Sequence, residues 1–241
     1  MKWAFILSFL LNLIGLTWLF QPQQDFFEKH FSPTFPSPRS NTYYKLKKEL
    51  FRRAKPKEPK ALIIMLGNSL TDYFEWQEVI SGYQVLNWGI SGDNVERIIG
   101  RTNGHPVSSP HAIFIEVGIN DLLSLNRPPH DILENYNRLI QGLKSLFPTS
   151  HLVIQSLLPT KKMAHWKHKS LEIFPRAISE INKGLIDLAN LHGVHYLDLH
   201  SKFANRLGDL PAGYSHDGLH LNGLGYEIWT NEVQQLLKRL K

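Results

Sequence analysis

From residue 61 onwards, short apolar runs alternate with longer stretches whose apolar residues recur at helical spacing. The short runs predict strands and the longer stretches predict helices. Because strands that alternate with helices form βαβ units, the pattern favours a parallel sheet covered by helices on both faces. The expected fold class is α/β, a three-layer α/β/α domain over residues 61–241. The predicted strands are residues 61–66, 84–87, 112–117, 152–156 and 194–197, which makes a five-stranded sheet, and the predicted helices are residues 94–100, 132–147, 177–192 and 223–240.

Residues 3–20 form a further apolar run, which follows a single Lys2. The run is near the lower length limit of a membrane-spanning helix, yet it is longer than the apolar core of most signal peptides. The exit at residues 18–21 has no small-residue cleavage pattern. We therefore expect a signal anchor over residues 1–20 rather than a cleaved signal peptide, and the flanking charges do not decide its orientation.

Residues 21–60 connect this run to the first predicted strand. Four prolines in residues 21–40 favour an extended spacer, because proline breaks a helix interior. From residue 41 apolar positions recur at helical spacing with Lys and Arg between them, which predicts a short basic amphipathic helix that ends before Pro56. The apolar positions are Tyr43, Leu46, Leu50 and Ala54.

The charge of the chain is concentrated in one segment. Between Lys45 and Lys60, eight basic residues stand against two acidic ones, which accounts for the whole formal charge of +6. Such a segment is more typical of a solvated linker or a contact with an anionic membrane surface than of a nucleic-acid site, and no groove-reading motif accompanies it. The chain has no cysteine, which excludes disulfides, zinc thiolates and a thiol nucleophile.

Three polar motifs directly follow predicted strands, at the edge where α/β sheets bind ligands. In the first, a glycine beside Ser69 allows a sharp strand-to-helix turn that exposes a nucleophilic hydroxyl. In the others, the Gly89 amide and the Asn120 amide, together with the Ser69 amide, are candidate donors to a developing oxyanion. Taken singly, each motif fits a helix cap or a tight turn equally well. The motifs are Gly67-Asn68-Ser69-Leu70-Thr71-Asp72, Asn87-Trp88-Gly89-Ile90-Ser91-Gly92-Asp93 and Gly118-Ile119-Asn120-Asp121.

A fourth motif, which begins at Asp217 and contains His220, comes immediately before the last predicted helix. The three-residue spacing lets the carboxylate orient the imidazole, fix its tautomer and stabilise the imidazolium. A structural histidine is the usual alternative, and eleven other histidines show how readily the chain uses this residue. Four motifs in order, each in its expected place, favour a catalytic role.

Over residues 60–240 the chain resembles the SGNH hydrolases, also called GDSL-like lipases and esterases, a family with a flavodoxin-like fold. The resemblance implies Ser69 as nucleophile, Gly89 and Asn120 in the oxyanion hole, and Asp217 and His220 as the rest of the triad. The stretch Ser156-Leu157-Leu158-Pro159 is most similar to the platelet-activating-factor acetylhydrolase-like branch. The first motif departs from the family's usual Gly-Asp-Ser, because Asn68 keeps the size of aspartate but not its charge.

The implied reaction is hydrolysis of a short-chain acyl or acetyl ester through a serine acyl-enzyme, with no metal or cofactor. The expected partners are a small ester substrate, with a lipid or an acylated glycan as candidates, and a membrane that holds the N-terminal segment. The catalytic domain is then expected to be periplasmic or extracellular, and no nucleic-acid partner is expected.

Two other functions remain open. A cell-envelope O-acyltransferase would use the same triad with a different acceptor. A flavodoxin-like binding module would cradle phosphate in residues 67–71, but the chain lacks the dinucleotide and Gly-Lys-Ser/Thr signatures. His165 and His168 have a spacing that can bind a metal, yet no carboxylate pattern completes a site, and a basic loop over residues 161–169 is the preferred interpretation.

Overall fold

A parallel sheet forms the centre of the protein. The computed structural model describes residues 41–53, 61–102, 109–161 and 174–240. The strands are β1 (Leu62–Gly67), β2 (Gln84–Gly89), β3 (Ala112–Glu116), β4 (His151–Gln155) and β5 (His195–Leu197). They lie in the order β2-β1-β3-β4-β5, and all neighbouring strands are parallel. The strand order therefore reverses between β1 and β3, which is the place where open α/β sheets bind ligands.

Helices cover both faces of this sheet. One face packs against α1, α4, α6 and α7, and the other packs against the short α2 and α3 together with α8 and α9. The three-layer α/β/α arrangement expected from the sequence is confirmed. The helices are α1 (Asn41–Arg53), α2 (Ser69–Asp72), α3 (Trp76–Val79), α4 (Val95–Thr102), α5 (Ile119–Leu123), α6 (Pro129–Leu146), α7 (Phe174–His192), α8 (His200–Phe203) and α9 (Gly223–Leu237).

The side chains of β1 show how the sheet divides the core. Leu62, Ile64 and Leu66 pack on one face, whereas Ile63 and Met65 pack on the other, as the two-residue period of a strand requires. All six residues of β1 are buried. The central strand is thus apolar on both sides, and its end at Gly67 lies buried inside the protein.

Helix α1 is part of this packed structure. Phe51 is only 5% exposed and belongs to the core on one face of the sheet, where its ring lies 5.9 Å from that of Trp88. Arg97 of α4 stacks over Tyr44, with the guanidinium 4.4 Å from the ring centroid. The domain boundary predicted at residue 61 therefore does not mark where the packed structure begins.

Two of the sequence predictions concern residues outside this description. The anchor expected over residues 1–20 and the spacer over residues 21–40 lie outside the described residues. Within the described ranges, no helix combines the length and the apolar character that a membrane span requires.

Candidate active site

Ser69 lies where β1 turns into α2, at the point of reversal in the sheet. The turn needs a glycine at position 67, because a Cβ there would lie 2.2 Å from Thr71 Oγ1 and 2.4 Å from the Glu116 carbonyl oxygen. The buried Asn68 side chain caps α2 by accepting a hydrogen bond of 2.9 Å from the Leu70 amide. The close packing and the cap together fix the orientation of Ser69.

Three side chains from two distant parts of the chain form a hydrogen-bonded line. Ser69 Oγ lies 2.9 Å from His220 Nε2, and His220 Nδ1 lies 2.6 Å from Asp217 Oδ2. The structure thus brings together the three residues that the sequence analysis grouped as nucleophile, base and orienting acid. Ser69 is 6% exposed, and the His220 side chain is 23% exposed.

Asp217 has several donors around its carboxylate. Its Oδ1 accepts hydrogen bonds from the amides of Leu219 (2.9 Å) and His220 (2.8 Å). Burial alone would raise the pKa of Asp217, but the His220 ring and these two amides outweigh it and lower the pKa to about 2. The carboxylate is therefore ionised at neutral pH.

An ionised carboxylate can only accept hydrogen bonds, and this fixes the tautomer of His220. The Nδ1–H donates to Asp217, so that Nε2 carries the lone pair and accepts from the Ser69 hydroxyl. The imidazole is thus oriented to take the serine proton, and the carboxylate stabilises the resulting cation.

Two of the donors expected from the sequence, the Ser69 amide and the Asn120 side chain, lie in the first turns of helices α2 and α5. The Ser69 amide is the first of helix α2 and so has no acceptor within the helix. The Asn120 side chain, at the start of α5, uses one Nδ2 hydrogen to bind the Asp93 carbonyl oxygen at 2.9 Å. Because a side-chain amide carries two hydrogens, the second remains for a ligand.

Gly89, the third donor expected from the sequence, is engaged elsewhere. The Gly89 amide donates to the Asn87 side-chain oxygen at 2.9 Å. This bond uses the only hydrogen of the Gly89 amide. The glycine is needed instead for close packing, because a Cβ at position 89 would lie 2.3 Å from the Asp72 nitrogen. The structure thus gives Gly89 a packing role in place of the donor role predicted for it.

Gly92 is the other glycine of the same motif. It has a φ of +83°, a left-handed conformation that suits glycine, and precedes the Asp93 residue whose carbonyl binds Asn120. The motif has two glycines, and residue type alone could not show that the Gly89 amide is bound to Asn87.

The comparison with known protein families agrees with this geometry. The sequence model of the GDSL-like lipase/acylhydrolase family matches residues 65–228, which is more than half of the chain. The chain belongs to this family. The resemblance drawn from the four motifs is confirmed, and the chain is a carboxylic ester hydrolase.

Known relatives of this GDSL-like protein cover most of its length. Platelet-activating factor acetylhydrolase IB subunit alpha1 of Rattus norvegicus is 25% identical over 193 residues, which is 78% of this chain and 78% of the relative. A GDSL-like lipase structure from Bacteroides thetaiotaomicron covers 83% of this chain and 98% of its own, with a TM-score of 0.67 and 19% identity. An acetyl xylan esterase structure covers 73% of this chain and 99% of its own, with a TM-score of 0.60 and 16% identity. The two structures share the fold.

A buried ion pair connects the strand ends next to the site of the GDSL-like protein. Asp93 is fully buried and pairs with Arg101 of α4, whose Nε lies 2.6 Å from Asp93 Oδ2. Arg101 also donates to the carbonyl oxygens of Gly67 and Trp88, and so links the ends of β1 and β2. Burial raises the pKa of Asp93, and Arg101 opposes that shift. The sequence analysis missed Arg101, because one arginine in a basic chain gives no sign of burial.

Other polar residues named in the sequence analysis support the fold. Asp121 is buried, and its Oδ2 accepts from the Val95 amide (3.1 Å) at the start of α4. Burial raises the pKa of Asp121 to about 6. Ser156 Oγ accepts from the amides of Leu199 and His200, which ties β4 to α8.

A metal site at His165 and His168 was the alternative that the sequence raised for this part of the chain. No group of three or more His, Cys, Asp or Glu side chains is arranged to hold a metal ion among residues 41–53, 61–102, 109–161 and 174–240. His165 and His168 lie outside these residues.

Proposed function

We propose that the protein hydrolyses short-chain acyl esters, acetyl esters first among them, through a Ser69-His220-Asp217 triad and an acyl-enzyme. The observation that carries the proposal is the line of hydrogen bonds from Ser69 Oγ through His220 to Asp217, with distances of 2.9 and 2.6 Å. These distances fit a nucleophile, its base and the group that orients the base.

The proposed reaction proceeds in two halves. His220 Nε2 takes the Ser69 proton as Oγ attacks the ester carbonyl carbon, and the tetrahedral intermediate collapses when the imidazolium protonates the leaving alcohol. A water molecule then attacks the acyl-enzyme with His220 again as base, and the acid is released. Asp217 remains ionised throughout, in keeping with its lowered pKa.

The oxyanion formed in each half needs preorganised donors. We assign this role to the Ser69 amide, the free hydrogen of the Asn120 side chain and the Gly92 amide. The support is that Ser69 opens α2 and that Asn120 binds the carbonyl oxygen of the residue after Gly92.

Two observations support a small acyl group. The relative from Rattus norvegicus is named as an acetylhydrolase. In this chain the ring of Tyr73 lies 5.2 Å from that of His220, and the Tyr73 hydroxyl lies 2.8 Å from Ser91 Oγ. An aromatic ring fixed beside the imidazole takes space next to the nucleophile.

The proposal is tested with purified protein and p-nitrophenyl esters from acetate to dodecanoate. We expect kcat/KM to be highest for the two- to four-carbon esters in the series, and Ser69→Ala to reduce turnover to background. Preference for the long esters would contradict the small acyl group. Full turnover by Ser69→Ala would contradict the triad.

A further inference from the structure

The carboxylate of Asp72 joins helix α1 to the turn that follows β2. Asp72 is the last residue of α2, three positions after the nucleophile, and its side chain is 1% exposed. Its Oδ2 accepts a hydrogen bond of 2.8 Å from the Ser91 amide. The proposed reaction assigns no role to this buried acidic group.

On the other side, Asp72 is held by two side chains of α1. Lys47 Nζ lies 2.6 Å from Asp72 Oδ1, and the Tyr43 hydroxyl donates to Asp72 Oδ2 at 2.6 Å. Burial, followed by the bond to Asp72, raises the pKa of Tyr43, so that its hydroxyl remains a donor. The Lys47 side chain is only 16% exposed, which places the ion pair largely out of water.

The turn that Asp72 holds contains one of the groups proposed to bind the oxyanion, Gly92, and it contacts a second, Asn120. Residues 90–93 form this turn, which we call the oxyanion turn; it includes Gly92 and the Asp93 carbonyl that fixes Asn120. The Ser91 amide bonds to Asp72, and Ser91 Oγ lies 2.8 Å from the hydroxyl of Tyr73, whose ring packs on His220. A displacement of Ser91 would therefore move the oxyanion donors relative to Ser69.

We propose that Asp72 is a positioning residue for the oxyanion turn, and that Lys47 and Tyr43 of α1 hold it in that role. The inference rests on the proposed function for its effect on catalysis. Helix α1 would then help to position the active site, although it precedes the first strand and supplies no group to the triad.

The proposal predicts a larger effect on kcat than on KM. Donors to an oxyanion act mainly in the transition state, so their displacement lowers kcat more than it changes KM. A shift of about 1 Å can cost on the order of 100-fold in rate. We expect a loss of kcat of about 10- to 100-fold when Lys47 can no longer hold Asp72.

The test compares four variants of the full chain. Lys47→Met removes the charge and keeps the length of the side chain, and Lys47→Arg restores the charge. Tyr43→Phe removes only the hydroxyl and covers the case in which Lys47→Met does not fold. Lys45→Met is the matched control, because Lys45 is exposed on the same helix.

The measurements are kcat and KM for p-nitrophenyl acetate, and the hydrogen-exchange rate of the Ser91 amide by NMR. We expect Lys47→Met and Tyr43→Phe to lower kcat and to speed exchange at Ser91, Lys47→Arg to recover most of both, and Lys45→Met to match the wild type. Equal kcat and equal exchange in Lys47→Met and Lys45→Met would overturn the proposal, as would a change confined to KM. If the wild type cleaves no ester, the proposed function fails, and Ser91 exchange alone decides whether α1 holds the turn.

Discussion

At the scale of single residues, two of the acids near the candidate site, Asp217 and Glu116, have opposite protonation states. Asp217 is surrounded by donors that lower its pKa to about 2, whereas burial raises the pKa of Glu116 to about 8, with Asn68 partly opposing the shift. Glu116 lies opposite Gly67 in the sheet, directly below the turn of the nucleophile. One acid is thus ionised and the other is protonated at neutral pH, because of their surroundings.

The protonated state of Glu116 predicts how stability changes with pH. Above the ordinary pKa of a glutamate, about 4.3, the unfolded chain releases this proton while the folded chain keeps it up to about pH 8. The contribution of Glu116 to folding is therefore most favourable at low pH and becomes increasingly unfavourable as pH rises from about 4.3 to 8. Glu116→Gln has no proton to lose here. We therefore expect the free energy of unfolding of the variant to rise relative to that of the wild type as pH increases from 5 to 8.

The check is urea unfolding of wild type and Glu116→Gln at several pH values in that window. A stability difference between the two proteins that does not change with pH would show that Glu116 is not protonated in the folded state.

Asn120 and Asp217 predict two different kinetic defects. Asn120→Ala should lower kcat by about 10²- to 10³-fold with a smaller change in KM, because it removes a donor that acts in the transition state. Asp217→Ala should also lower kcat, but by leaving His220 without its orienting acceptor. High pH keeps that imidazole neutral and should partly restore Asp217→Ala, whereas it cannot replace the donor lost with Asn120.

Profiles of kcat against pH for both variants decide the point. Equal recovery of the two at high pH would argue against this division of roles.

The spacing of residues predicted the contact between Asp217 and His220, but it could not predict which way a backbone amide points. Asp217 and His220 are three positions apart, so their contact is local and can be inferred from sequence. The bond of the Gly89 amide to Asn87 and the approach of Ser91 to Asp72 depend on the exact path of two loops. Neither contact follows from residue type.

At the scale of elements, the strands were predicted to within two residues because their apolar runs are continuous. Helix α6 begins at Pro129, three residues before its predicted start, since proline suits the first turn of a helix. Helices α2, α3, α5 and α8 were not predicted, because four or five residues are too few to show a helical period.

The amino ends of three neighbouring strands carry a row of histidines. The rings of His111 and His151 are 5.3 Å apart, and those of His151 and His195 are 5.4 Å apart. Burial, then His151 and Arg239, lower the pKa of His195. The row lies at the edge of the sheet opposite the active site.

The lowered pKa of His195 predicts a loss of stability in acid. As pH falls below about 6.5, the ordinary value for histidine, the unfolded chain takes up this proton more readily than the folded chain. The contribution is present above that pH and is lost below it. We expect His195→Gln to reduce the fall in the free energy of unfolding between pH 7.5 and pH 5.

His130→Gln is the control, because the side chain of His130 is 79% exposed. The free energy of unfolding of each protein is measured with denaturant at pH 7.5 and at pH 5. An equal fall in this free energy in His195→Gln and the wild type would contradict the prediction.

At the scale of the whole molecule, the packed structure includes helix α1, which precedes the first strand. Phe51 of α1 is 5% exposed in the core, and Lys47 reaches Asp72 beside the nucleophile. The helical spacing of apolar residues from residue 41 predicted α1. The basic residues between them are typical of a linker, and for this reason α1 was expected to lie outside the domain. The anchor expected over residues 1–20 stays a prediction.

Two truncations test where the functional unit begins. Removal of residues 1–40 should leave a folded and active protein, because α1 remains. Removal of residues 1–53 should lower stability by about 3–5 kcal/mol, the cost of losing one large buried aromatic side chain, and should lower kcat as well. Equal melting temperatures and equal kcat in the two truncated proteins would show that α1 contributes to neither.

The central claim is that Ser69 forms the acyl-enzyme, and covalent labelling tests it most directly. The protein is treated with a fluorophosphonate, which captures an activated serine, and the modified peptide is identified by mass spectrometry. The account predicts one adduct, on Ser69, that is absent in Ser69→Ala and forms much more slowly in His220→Ala. An adduct on Ser91, or undiminished labelling in Ser69→Ala, would contradict it.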